Sequence, residues 1–146
     1  MSSVPSTEWG MADAWLLAAI SSARADPGGA GATLASVLMT AEGINHAVPT
    51  RGETELAIRN LLGSGLIQVD DRAEHFRLTE AGQKVRSRWR HGMFGWIDAL
   101  PPALRRLGPP QPAEWSLAPG AYEHAIEEAN QTLNEVAARH RRKRRR

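Results

Sequence analysis

The stretch from Thr50 to Gly82 constrains this chain more than any other, because it writes a helix, a hairpin and the start of another helix in immediate succession. Thr50-Arg51-Gly52-Glu53 matches the capping box S/T-x-x-E, in which hydroxyl and carboxylate each accept an N–H orphaned at a helix start. Placed at about 100° intervals, the residues that follow group Thr54, Ala57, Ile58, Leu61 and Leu62 on one side, so a helix runs to about Ser64 before Gly65 ends it. Leu66-Ile67-Gln68-Val69 and His75-Phe76-Arg77-Leu78 are short β-rich runs around the polar loop Asp70-Asp71-Arg72-Ala73-Glu74, which predicts a hairpin. Thr79 then caps a helix in which Val85 and Trp89 lie four apart.

Two helices precede this run. Ala12 to Ala25 sets Trp15, Leu16, Ala19, Ile20 and Ala23 at helical spacing and stops at Asp26-Pro27-Gly28-Gly29. Thr33 caps a short second helix carrying Leu34, Val37, Leu38 and Ala41, which Gly43 interrupts. The ten residues Ala41 to Thr50 read as a connector, with Pro49 biasing Val48 away from helical dihedrals. The order helix, helix, helix, hairpin, helix, with the signatures IRNLLGSGLI and FRLTEAG, resembles the winged helix-turn-helix domain in its MarR-like and PadR-like bacterial flavour over residues 12–91. The resemblance implies a mainly α fold with a small β-hairpin, here followed by a C-terminal helical extension. Ile58, Leu61 and Leu62 would then be core, Gly65-Leu66-Ile67 would start the wing, and Leu78-Thr79-x-x-Gly82 would lead into the closing helix. It departs from the pattern between helices two and three, where a turn of about three to four residues is usual.

The same resemblance implies a DNA-binding transcriptional regulator, with helix three in a major groove and the wing on phosphate or minor groove. Candidate contacts are Arg51, Arg59 and Asn60 on the helix, Arg72 and Arg77 on the wing, and Arg141, Arg142, Lys143, Arg144, Arg145 and Arg146 at the terminus. Arg59 could bond guanine and Asn60 adenine. The residues serve this role unevenly. Helix three sets Arg51 and Arg59 against Glu53 and Glu55, and the wing loop sets Asp70, Asp71 and Glu74 against Arg72, which repels phosphate. On its outer face, Gly52, Leu56, Arg59, Asn60 and Gly63, Leu56 asks for an apolar contact, with a protein partner or with the chain's own C-terminal part. The cluster Lys84, Arg86, Arg88 and Arg90 is equally explained by the macrodipole of its helix.

Net charge is partitioned along the chain. Residues 139–146 carry seven of the eighteen Lys and Arg, which leaves residues 1–138 at −5 while the whole is at +2. This Arg-rich tail is expected to be disordered and to neutralise phosphates without geometry, or to serve only solubility. Residues 1–11 are expected to be a flexible lead-in. Residues 92–138 hold a Pro-rich wrap, whose large apolar residues (Trp96, Leu100, Leu104, Trp115, Leu117) should pack back on the body, and then an amphipathic helix. That helix repeats Tyr122, Ile126, Ala129, Leu133 and Val136 at steps of four, three, four and three, which fits packing on its own core or a homodimer seam.

Other classes fall away. There is no cysteine, hence no disulfide framework or thiolate chemistry, and no apolar run long enough to span a membrane. With no basic residue before Arg24, a cytoplasmic location is expected. His46, His75, His91, His124 and His140 are scattered; His124 and Glu128 form only an i,i+4 pair, and no phosphate-cradling loop or nucleophile elbow is present. No catalysis, metal or cofactor is expected. Two readings stay open: a DNA-binding regulator, and a winged-helix protein-interaction module without specific DNA readout. Convergence of the mid-chain bases and the tail on the outer face of helix three favours the regulator; a face covered by residues 91–119, or acidic and apolar, favours the interaction module.

Overall fold

Three threonines start helices where the sequence places them. In the computed structural model, which describes residues 8–25, 31–70 and 75–144, the helices are α1 (Met11–Ser22), α2 (Leu34–Asn45), α3 (Arg51–Gly63), α4 (Glu80–Arg86), α5 (Trp96–Arg105) and α6 (Ala121–Arg144). Thr33, Thr50 and Thr79 accept from the N–H groups of Ser36, Glu53 and Gly82, and Glu53 Oε1 accepts from Thr50 N at 2.9 Å, completing the capping box. The expected flexible start up to residue 7, the stop at Asp26–Gly29, the wing loop with Arg72, and Arg145 and Arg146 lie outside the described residues.

The expected hairpin exists and is joined by a third strand. Strands β1 (Ala32–Thr33), β2 (Ile67–Val69) and β3 (His75–Leu78) form an antiparallel sheet in the order β1-β3-β2, with Gln68 opposite Arg77 and Ala32 opposite Phe76. Gly31 permits β1: its φ is +114°, and a Cβ there would lie 2.4 Å from Phe76 O. Only a residue without a side chain brings this backbone against β3.

At the centre lies α1, buried from Asp13 through Ile20 and packed on α2, α3, α5 and the sheet. Its run Ala14–Ile20 carries no charge on any side, the pattern of a helix enclosed by its neighbours. Trp15 Nε1 donates to Ala41 O across this core at 2.9 Å. Trp9, expected in a flexible lead-in, is buried too and donates to Gly108 O at 2.8 Å.

Four further expectations need correction. First, α2 does not stop at Gly43 but continues to Asn45 and ends on His46 at φ 54°, which leaves residues 46–50 as the connector and removes most of the expected insertion. Gly43 is exposed, so its cost is only helix propensity, about 1 kcal/mol, and burial of Ile44 outweighs that. Second, the Pro-rich wrap contains α5, a helix with Pro101 and Pro102 inside it. A proline inside a helix costs about 3 kcal/mol, and here burial of Trp96, Leu100, Ala103 and Leu104 on one face offsets it. Third, α4 ends at Arg86, so Trp89 is not on it; the Arg86 guanidinium instead lies 4.9 Å over the Trp89 ring. Fourth, residues 139–144 do not leave the last helix as a separate tail but continue α6 to Arg144. Among the described residues no helix is long and apolar enough to cross a membrane.

Candidate functional site

The sequence points to α3, and its outer face is where the candidate side chains can be followed one by one. The first half of that face is open: Arg51, Gly52, Glu53 and Leu56 are exposed, Leu56 at 41%. Arg51 Nε lies 3.9 Å from Glu123 of α6, so the open half presents one arginine between Glu53 and Glu123. A phosphate approaching it meets net negative charge.

The second half is covered by the chain's own residues 111–117. Arg59 Nε donates to Ala113 O at 3.1 Å while Ala113 N donates back to Arg59 O at 2.9 Å. Gln111 N donates to Ser64 Oγ, and Leu117 N donates to Glu55 Oε2 at 2.9 Å. A Cβ at Gly63 would lie 1.8 Å from Gln111 O, so the strap sits directly on the helix backbone. Leu117, the last residue of the strap, is buried, and Trp115 meets Phe76 of β3 edge-on at 6.1 Å. The guanidinium expected to read a base is therefore a clamp for this strap.

Asn60 is on the other side altogether. Its side chain is 2% exposed, not on the outer face, because α1 packs along that side of α3. Asn60 Nδ2 donates to Asp13 Oδ1 at 3.1 Å, and Gly10 N donates to Asp13 Oδ2 at 2.8 Å, which ties the start of α1 to the middle of α3. Burial raises the Asp13 carboxyl above its ordinary value of 3.8, and the two donors only partly offset this. Asn60 Oδ1 finds no partner. At the connector before α3, Tyr122 OH donates to Pro49 O at 2.6 Å; burial, then the charges of Glu123 and Glu53, raise its pKa.

The remaining candidates do not converge on α3. Arg77 is exposed on β3 and donates from Nε to Gln68 Oε1 at 2.9 Å, while Asp70 at the wing is held by His75, with Nδ1 and Oδ2 2.9 Å apart. Arg141, Arg142, Lys143 and Arg144 are exposed on the last turns of α6. The heptad stripe divides: Tyr122, Ile126 and Ala129 pack on the body, mainly against α2, whereas Leu133 and Val136 stay 41% and 42% exposed on a helix that stands clear. His124 Nε2 and Glu128 Oε1, 2.7 Å apart, form the expected surface pair.

Asp13, Glu55 and Ser64 are the site residues that sequence reasoning missed, since each acts on a segment distant in the chain. Gly63, on the same outer face as Leu56, was a local signal that another backbone comes close. Comparisons with protein-family models, with curated proteins and with solved structures returned no match to this chain.

Proposed function

We propose that this chain is a winged-helix module that works through protein contacts and does not read DNA with α3. The observation that carries the reading is the strap: residues 111–117 occupy the second half of the outer face of α3 and engage Arg59, the guanidinium expected to bond guanine, together with Glu55. The open half adds carboxylates where phosphate would lie, which argues in the same direction. What the molecule offers a partner instead is the projecting part of α6, with Leu133 and Val136 in the open and four cations at its end.

Those cations favour a second, weaker activity, sequence-independent attraction of nucleic acid by the end of α6. One experiment separates the readings: selection of DNA from a random pool by the full chain and by a chain ending at Ala138. The expected result is no enriched sequence, with DNA retained by the full chain only at low salt and released by the truncation. Log K should fall against log salt by about 0.9 per phosphate neutralised. Enrichment of one sequence that persists in the truncated chain and is relaxed by Arg51→Ala or Leu56→Ala would overturn the proposal and restore the regulator reading.

A further inference from the structure

The projecting half of α6 has a flank that its own body leaves open. Ala125 and Ala129 face the body; about a third of a turn round the helix from them, at steps of four and three, run Glu123, Glu127, Asn130, Asn134, Ala137, Arg141 and Arg144, all exposed, with Leu133 bordering the strip. The strip is acidic at one end, uncharged in the middle and basic at the other. Reversed end for end, it is its own electrostatic complement.

We propose that two copies of this chain associate through antiparallel pairing of this flank, Glu127 and Glu123 of one copy against Arg141 and Arg144 of the other. Asn134 marks the two-fold axis: Glu127 lies seven residues before it and Arg141 seven after, so each charge meets its opposite when the second helix runs the other way. A parallel pair would set Arg on Arg and Glu on Glu. The contact is isologous and closes on two copies, because the same strip serves both sides. Leu133 of each copy, about 100° round the helix from Asn134, flanks the seam beside the axis, where water now reaches it. Glu123 is shared with Arg51 of its own body at 3.9 Å, a loose pair between exposed groups that does not withhold it. This seam lies beside the apolar stripe, whose first half the body already occupies. Exposed ion pairs are weak and screened, so the association is reversible and weakens with salt.

The inference names a partner for the protein-contact reading and fails separately from it. The chain has no cysteine, so single cysteines report the geometry without background. Under mild oxidant, Asn134→Cys is expected to give a disulfide-linked dimer; Glu127→Cys and Arg141→Cys are each expected to stay monomeric alone and to cross-link when mixed. In sedimentation at low salt, Glu127→Arg and Arg141→Glu should each weaken self-association by about ten-fold or more, and an equimolar mixture of the two should recover it as a heterodimer. Cross-linking of Arg141→Cys with itself as efficiently as Asn134→Cys, or a wild-type chain that is monomeric at low salt up to its solubility limit, would overturn the pairing. A monomer leaves the protein-contact reading with a different partner, whereas an enriched DNA sequence overturns that reading and leaves the pairing intact.

Discussion

Leu61 is fully buried in the core, so its truncation leaves a cavity. Leu61→Ala is expected to lower stability by about 2–5 kcal/mol in urea unfolding, whereas Leu56→Ala, on the open side of the same helix, should change it by about 0.5 kcal/mol or less. Asp13 carries a pH dependence of the opposite sign from that of a carboxylate in an ion pair. Its folded pKa is raised by burial, so the folded state binds the proton more tightly than the unfolded one. The stability this group contributes is full below 3.8, its ordinary value, and is lost as pH rises from there through the raised folded value. Asp13→Asn keeps an acceptor for Gly10 N and an amide for Asn60, yet cannot ionise. Measured by urea unfolding from acid to neutral pH, its stability relative to wild type should climb and then level off; a constant difference would show that Asp13 titrates normally. Leu61 was legible from its spacing alone. Asn60 was not, because the side of α3 that it occupies becomes interior only once α1 lies against it.

Among the elements, the strap over α3 is the one whose removal has a definite signature. Gly63→Ala puts a methyl group where Gln111 O stands, and although alanine favours the helix by about 1 kcal/mol, the backbone clash has to be relieved by movement of the strap. The expected outcome is faster amide exchange at Ala113 and Leu117, whose N–H groups donate to Arg59 O and Glu55 Oε2, with a net loss of about 1–3 kcal/mol. Unchanged protection at both amides would mean that the strap is held elsewhere. Helices that cap themselves were legible: Thr33, Thr50 and Thr79 act within three residues of chain. The α5 helix was hidden because Pro101 and Pro102 are local stop signals, overridden by an apolar face that has value only against distant elements, chiefly α1. The β1 strand was hidden for a like reason, two residues long and defined wholly by its partner β3.

For the molecule as a whole, the body and the projecting half of α6 are energetically separate, since Ala125 and Ala129 are the buried residues of that helix. A chain ending at Asn130 should therefore unfold within about 1 kcal/mol of the full chain while losing both low-salt DNA retention and self-association. A cooperative loss of the whole fold would show that the projection supports the core. The sequence by itself determined the helix starts, the hairpin, the leucine face of α3, the absence of thiol chemistry and the division of charge between body and terminus. All of these depend on residue type and on neighbours a few positions away. Tertiary structure alone decided what each surface became: it buried Asn60 under α1, turned Arg59 into a clamp for a strap about fifty residues downstream, and left half of a regular apolar stripe in water. The reason is physical. A helix wheel shows which sides differ, but which side is inside depends on the elements that arrive against it, and their approach is set by burial summed over the entire core.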